Sequence, residues 1–162
     1  MRGDEILELV NGLHAGPQGM LDASLGQLQL TLIGLAWVAS GSALGGTARF
    51  FLSGFVGRRI GETFPWGTMV VNVTGAFAIG IIAAAASRHA LFYMPDSWQF
   101  AVVGFLGSYT TVSSFSLQTL ALARDGEYLH AGGNILLSLL LCLAAVLLGF
   151  VSTAAVLGGG LP

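Results

Sequence analysis

Charged residues are scarce in this chain. They make up 9% of its 162 residues, whereas hydrophobic residues make up 54%. Because a soluble domain averages about 25% charged residues, the composition excludes an ordinary soluble protein and predicts an integral membrane protein. The small negative net charge of −2 also argues against a nucleic-acid-binding protein.

Cysteine and histidine are nearly absent as well. The single cysteine, Cys142, excludes an intrachain disulfide and a cysteine-rich metal site. The three histidines (His14, His89 and His130) fall in predicted tail or loops, so no pair of them has ligand spacing on a helix. Nothing in the sequence suggests an enzyme.

Long apolar runs, by contrast, occur four times, near residues 29–54, 67–87, 97–122 and 132–157. Each is long enough to cross a hydrocarbon core of about 30 Å, which takes roughly 20 helical residues. A barrel would instead show alternating segments of about 10 residues. We therefore predict an all-α membrane protein with four transmembrane helices over residues 28–158, preceded by a flexible or interfacial tail over residues 1–27.

The predicted spans contain no aspartate or glutamate. A proton- or cation-coupled exporter normally needs a membrane carboxylate to carry the coupling charge. The spans offer hydroxyls, amides and one arginine instead, a set of donors that suits an anion. The pattern therefore favours passive anion movement over coupled transport.

The basic residues define the topology poorly. With four spans, Arg2 and Arg88 lie on one side of the membrane, and Arg58, Arg59 and Arg124 lie on the other. Short basic loops normally mark the cytoplasmic side. So small a difference is either a weak signal or the mark of dual topology, in which copies insert both ways and pair as an antiparallel dimer.

Hydroxyl side chains are concentrated in the third predicted span. Six serine and threonine hydroxyls fall from Ser108 to Ser116, just after Gly104 and Gly107. Irregular backbone at membrane depth persists only where it is buried in protein or lines a cavity. We therefore expect a locally broken helix, which frees carbonyl oxygens of the kind that bind a small hard cation.

Isolated polar residues mark the other three spans. Arg49 either snorkels to the membrane surface or faces an aqueous vestibule that attracts anions. Asn72 either joins helices or donates to a passing anion. Asn134, Ser138 and Cys142 share one helix face, as polar contacts between helices or as a polar track along a pore.

Small residues repeat at four-residue spacing in the first span, where Gly41 pairs with Gly45 and Ser42 with Gly46. Gly80 belongs to a similar face in the second span. Such faces let helix backbones approach closely, so we expect them to pack against other helices.

Several short motifs, each weak alone, become specific by their order and spacing. They are Gly45-Gly46-Thr47-Ala48-Arg49, Gly67-Thr68, Val71-Asn72-Val73-Thr74-Gly75 with Gly80, the stretch from Gly104 to Phe115, and a fourth span ending at Gly149. Together, over about residues 34–151, they resemble the Fluc (CrcB) family of fluoride channels.

The resemblance implies a passive fluoride channel that exports cytoplasmic fluoride across the cell (inner) membrane. It also implies an antiparallel, dual-topology dimer with two pores and a central structural sodium ion. In the family, main-chain carbonyls at the break of the third helix hold the sodium. The matching positions in this chain are Gly107 and Thr110.

The resemblance further implies a fluoride path along the second, third and fourth helices. Arg49 corresponds to the vestibule arginine of the family. The positions that match the pore residues of the family are Asn72, Thr111, Ser113, Phe115 and Ser138.

Three positions depart from the family pattern. Val112 replaces the first of two pore phenylalanines, Ser108 replaces the second glycine of a pair, and Asn134 replaces a frequent tyrosine. The valine leaves open whether the chain is a self-sufficient homodimer or one subunit of a heterodimeric, partly conducting or non-conducting channel. A small four-span multidrug exporter is a further alternative, disfavoured by the missing carboxylate.

Overall fold

A computed structural model describes residues 17–61, 63–88 and 92–158. Most of the predicted tail, residues 1–16, lies outside these ranges. The chain divides into two compact units, residues 1–36 and residues 37–162.

The described residues are helical and contain no strand. Four stretches are long and apolar enough to cross a membrane, which confirms the predicted all-α, four-span class: Gln18–Ile60, Trp66–Ser87, Pro95–Arg124 and Tyr128–Val156. The helices are α1 (Pro17–Ile60), α2 (Trp66–Ser87), α3 (Pro95–Trp98), a π-helical segment (Gln99–Leu106), α4 (Gly107–Tyr109), α5 (Val112–Arg124) and α6 (Tyr128–Val156).

Proline and glycine set the helix limits. Pro17 and Pro95 are the first residues of α1 and α3, and Pro65 directly precedes α2. The fixed φ of proline suits a first helical turn, where its missing N–H costs nothing. Gly61, with φ of 112°, follows α1, and Gly126, with φ of 81°, separates α5 from α6. Both adopt the left-handed conformation that commonly ends a helix.

The first helix begins earlier than the predicted span. Residues 17–27, which belong to the predicted tail, are helical and continue into α1. Apolar and small residues run through this stretch with no proline between Pro17 and Pro65, so no local signal ends the helix. Whether this stretch lies at a membrane surface stays a prediction.

In the second unit, α2 and α6 pack closely through glycines. A Cβ built on Gly80 would collide with the carbonyl oxygen of Val146, and one on Gly149 would collide with that of Phe77. The two backbones therefore approach at positions where only a hydrogen side chain fits, the usual device of membrane helix pairs.

Residues 37–60 of α1 pack against the π-helical segment in a similar way. Gly41 and Gly45 face the backbone of Phe100 and Phe105, and a Cβ on Gly104 would lie 2.7 Å from the carbonyl oxygen of Val38. Gly41 and Gly45 are thus packing residues, as expected, whereas Gly46 faces open space within the described chain.

The buried core lies beside the third span. Val71, Leu106 and Tyr109 form it, and partly buried apolar side chains from α1 and α2 surround them. Tyr109 stacks on Phe105 with ring centroids 5.8 Å apart, and its hydroxyl hydrogen-bonds to Thr74 at 2.8 Å. The core therefore fixes the end of α4, which is where the third span breaks.

We predict opposite effects from two glycine substitutions in α6. Gly149→Ala places a methyl group against the backbone of Phe77 and should lower the thermal midpoint of the detergent-solubilised protein. Gly133→Ala meets no atom within 4 Å and removes a helical glycine, which costs about 1 kcal/mol relative to alanine, so the midpoint should hold or rise. Equal shifts in both variants would contradict the packing described for α2 and α6.

Candidate ion-conducting site

The third span is broken at two threonines, as predicted from its hydroxyl cluster. Helix α4 ends at Tyr109, and α5 begins at Val112. Between them Thr110 has ψ of 159° and Thr111 has φ of −151°, both extended conformations. Closely spaced serine and threonine side chains offer the backbone alternative hydrogen bonds, and this competition weakens the helix here.

The side chain of Asn72 holds the broken backbone. Its Oδ1 accepts from the N–H of Thr111 at 2.7 Å, and its Nδ2 donates to the carbonyl of the same residue at 2.9 Å. Thr111 is buried, so both of its main-chain groups need partners. A single amide of α2 thus satisfies both groups of one residue in the break.

Close approach of α2 makes this contact possible. A Cβ on Gly75 would overlap the methyl group of Thr110 and lie 3.3 Å from the ring of Tyr109. Glycine at this position lets α2 lie directly against the broken segment and brings Asn72 within reach of Thr111.

The break removes the helical donors of at least two carbonyl oxygens. In a continuous helix, Thr111 would donate to the carbonyl of Gly107, but here its N–H donates to Asn72. Ser114 would donate to the carbonyl of Thr110, but its N–H donates to the hydroxyl of Thr111 at 3.1 Å. The carbonyls of Gly107 and Thr110, the two residues expected to hold sodium, are therefore among those that lose their helical donors.

These residues fit a structural sodium ion by their chemistry. Main-chain carbonyls are hard, neutral oxygen ligands suited to a hard cation. Gly107 and Thr110 both line one cleft of about 360 Å³, together with Asn72, Thr111 and Val112. Within the described ranges, no group of three histidine, cysteine or acidic side chains forms an alternative metal site.

A hydroxyl cluster caps the start of α5. The hydroxyl of Thr111 accepts from the backbone of Ser114, as in an ordinary helix N-cap. It also lies 3.2 Å from the hydroxyls of both Ser113 and Ser114. The hydroxyl of Thr111 donates to the hydroxyl of Ser114, so the hydroxyl proton of Ser114 can be donated to another acceptor.

A second cavity, of about 150 Å³, lies on another side of Thr111. Its lining combines one guanidinium with four hydroxyl groups and two apolar side chains: Arg49, Ser53, Thr68, Thr111, Ser114, Phe50 and Val71. Among these described lining residues none is acidic, so the lining carries positive charge and hydrogen-bond donors. We refer to it as the arginine cavity.

Two helix N-termini reach the arginine cavity. Thr68 belongs to the first turn of α2, and Ser114 belongs to the first turn of α5. Helix N-termini carry a partial positive charge of about half an elementary charge. Together with Arg49 they make this cavity favourable for an anion.

Polar residues of the fourth span form a separate chain of hydrogen bonds. Asn134, only 1% exposed, donates to the hydroxyl of Thr119 at 2.8 Å, and Thr119 donates to the carbonyl of Phe115 at 2.7 Å. Ser138 donates to Asn134 across 3.4 Å. Asn134 and Ser138 therefore connect α6 to α5, while Cys142 lines the cleft beside the break.

The structure thus brings together only part of the predicted site. Asn72, Thr111 and Ser113 meet at the break, and Arg49 shares a cavity with Thr111. Ser138 and Phe115 belong to the separate hydrogen-bond chain through Asn134 and Thr119. That each of them contacts fluoride stays a prediction.

Sequence reasoning missed three residues. Ser114 was counted among the hydroxyls but not as a lining residue, although its place three residues after a threonine cap indicates the first turn of a helix. Thr119 lies four residues after Phe115 and therefore on the same helix face, so its spacing could have indicated that it lies near Phe115. Thr68 was noted only as part of the Gly67-Thr68 motif, because only packing brings it to Arg49.

Fold and site together define a multi-pass membrane protein with a broken third span beside an anion-favouring cavity. Residues 36–150 match the family model described as CrcB-like protein, Camphor Resistance (CrcB). The chain therefore belongs to the CrcB family.

Several relatives carry the name of an ion channel, which is not a class of enzyme. The chain is 62% identical over 122 residues to "Fluoride-specific ion channel FluC 2" of Bradyrhizobium diazoefficiens, covering 75% of this chain and 89% of the relative. It is 67% identical over 118 residues to the protein of the same name from Rhodopseudomonas palustris, and the match covers 72% of this chain and 90% of that relative. "Fluoride-specific ion channel FluC 3" of Brucella suis is 56% identical over 114 residues, and the match covers 70% of this chain and 86% of that relative.

We predict that Asn72→Ala destabilises the fold. The substitution leaves the buried N–H and carbonyl of Thr111 without partners, and each orphaned group costs about 1–3 kcal/mol. The thermal midpoint in detergent should therefore fall clearly. Thr47→Val is the control, since the Thr47 hydroxyl is exposed and bonds only to Ala43 in its own helix. An unchanged midpoint for Asn72→Ala would show that the break is held by other contacts.

Proposed function

We propose that this protein is a passive, fluoride-selective channel that lets cytoplasmic fluoride leave the cell. The observation that carries the proposal is the arginine cavity, with its guanidinium, hydroxyls and two helix N-termini and no carboxylate among its described lining residues. The names of the relatives support fluoride over other anions.

The chemistry of fluoride explains both why the pore needs hydrogen-bond donors and why the anion moves out of the cell. Fluoride is small and strongly hydrated, so a pore must replace its water with closely placed hydrogen-bond donors. Hydrogen fluoride enters a cell as a neutral molecule and dissociates inside, which traps the anion. A passive path for the anion is then enough to relieve its toxicity, without ATP or a coupling ion.

Each predicted pore residue has a role consistent with its place. Arg49 attracts the anion into the arginine cavity, where the hydroxyl of Ser114, held by that of Thr111, donates its proton in place of water. One N–H of the Asn72 amide serves the carbonyl of Thr111, and the other serves the ion. Ser113 adds a hydroxyl at the start of α5, beside Thr111.

Phe115 and Ser138 continue the path beyond the break. The edge of an aromatic ring carries partial positive charge, so the half-buried ring of Phe115 can line an anion path. Ser138 lies beyond it on α6, connected through Asn134 and Thr119.

We further propose that the working unit is an antiparallel, dual-topology dimer in the inner cell membrane. The near balance of arginines on the two sides of the membrane supports this topology. The carbonyls of Gly107 and Thr110 would hold a structural sodium ion between two subunits. Bound there, sodium would supply a positive charge that pairs with the partial negative charge of the oxygens freed by the break.

A second candidate is a subunit that works only with a paralogous partner. Val112 favours it, because this side chain is 77% exposed beside the break at a position where the family has a pore phenylalanine. The chain would then lack one aromatic edge that a different subunit supplies. Its relatives include proteins numbered FluC 2, FluC 3 and FluC 4, as expected where a genome encodes several such chains.

The proposal predicts fast fluoride efflux from liposomes that contain only this purified chain, read with a fluoride electrode, and little chloride efflux. Phe115→Ile should slow the fluoride efflux by removing an aromatic edge while leaving the fold intact. Val112→Phe should fold normally, because the exposed side chain has space, and should conduct at least as well as the unaltered chain.

The outcomes separate the two candidates. Efflux from the unaltered chain supports the self-sufficient dimer. Folded dimers without efflux that begin to conduct on Val112→Phe, or on addition of a paralogous subunit, support the second candidate. Normal efflux in Phe115→Ile would contradict the assignment of Phe115 to the pore.

The sodium proposal predicts that stability depends on the cation present. A ligand that binds only the folded state stabilises it by mass action. Replacing sodium with N-methylglucamine at constant ionic strength should therefore lower the thermal midpoint of the purified protein, and sodium should restore it in a saturable way. A midpoint that depends on ionic strength but not on the cation would rule out a specific site.

A further inference from the structure

A regular row of leucines marks the N-terminal part of α1, within the first unit. Its members are separated alternately by four and three residues: Leu21, Leu25, Leu28, Leu32 and Leu35. In the single chain each is more than half exposed, between 55% and 61%. We call this row the leucine stripe.

The leucine stripe precedes the part of the chain that matches the family model. The family model begins its match at residue 36. Residues 37–60 of α1 are all helical, and about 20 residues are enough to cross the hydrocarbon core. Leu32 and Leu35 lie in the predicted first span, but Leu21, Leu25 and Leu28 precede it, so membrane crossing alone does not explain the stripe.

The spacing of the stripe is that of a coiled coil. A repeat of 3.5 residues with leucine at every core position keeps one seam of a helix facing a partner helix. The positions that flank this seam are mostly polar, with Asp22 and Gln29 on one side and Ser24 and Thr31 on the other. A face turned toward lipid needs no such register and gains nothing from polar flanks.

The charge pattern indicates which partner fits. Asp22 is the only charged residue between Pro17 and Ala48, so the stripe offers almost no charge to a partner that recognises it by ion pairs. A second copy in parallel register sets Ser24 against Gln29 and Thr31 against Ala36, which are all neutral. The seam is therefore self-compatible.

We propose that the leucine stripe pairs in parallel with the leucine stripe of a second copy of this chain. The two copies must lie in the membrane in the same orientation. In an antiparallel dimer the two stripes lie on opposite sides of the membrane, so the pairing joins neighbouring dimers. The inference does not depend on which ion the channel conducts.

Disulfide cross-linking in proteoliposomes tests the pairing. In a Cys142→Ser background, Leu28→Cys places a thiol in the seam, and Leu30→Cys places one on the opposite side of the same helix. Leu30 is 66% exposed and Leu28 is 55% exposed, so random collision would favour the control. We expect several-fold more cross-linked dimer from Leu28→Cys under a mild oxidant at low protein-to-lipid ratio.

Equal cross-linking at both positions, or none at either, would overturn the proposal and leave lipid or another protein as the cover of the stripe. A second comparison uses particle mass in nanodiscs or mild detergent. The double variant Leu25→Ala, Leu28→Ala should lose the larger assembly, while Leu30→Ala, Ile33→Ala should keep it. An assembly unaffected by the first pair also overturns the proposal.

Fluoride efflux, measured on the same preparations, separates this inference from the proposed function. Efflux from the seam variants should equal that of the unaltered chain, because Leu25 and Leu28 precede the residues that match the family model. Absence of efflux from every preparation would count against the channel proposal while leaving the cross-linking result valid.

Discussion

Two hydrogen bonds between one amide and one threonine organise the centre of this membrane protein. Asn72 pairs with both main-chain groups of Thr111, where an ordinary helix would pair them within the span. Hydrocarbon supplies no alternative partner for a buried backbone group. The amide that α2 places beside Thr111 therefore stabilises the break in the third span.

Other features of the break support that contact or follow from it. Gly75 allows α2 to approach, and Tyr109 ties the end of α4 to Thr74. With Thr111 turned toward Asn72, the carbonyls of Gly107 and Thr110 lose their helical donors. A neutral helix is thus converted into a site with free oxygens, without any acidic side chain.

The same break that frees carbonyl oxygens, which favour a cation, also contributes to the arginine cavity, which favours an anion. A new helix N-terminus begins at Val112, and its first turn meets Arg49 and the first turn of α2 in one cavity. Freed carbonyls favour a cation, whereas helix N-termini and a guanidinium favour an anion. One interruption of a helix therefore provides both environments, with Thr111 lining both cavities.

The sequence alone determined the number of spans, their approximate limits and the position of the break, since hydropathy and competition by hydroxyls are local properties. Its polar residues pointed to Asn72 and Arg49, and its resemblance to the family pointed to the carbonyls of Gly107 and Thr110. It could not show that Asn72 binds the backbone of Thr111, 39 residues away. Nor could it show that Thr68 and Ser114 share a cavity with Arg49. Only tertiary packing decides such contacts, because glycines on separate helices set how closely the backbones approach and which side chains meet.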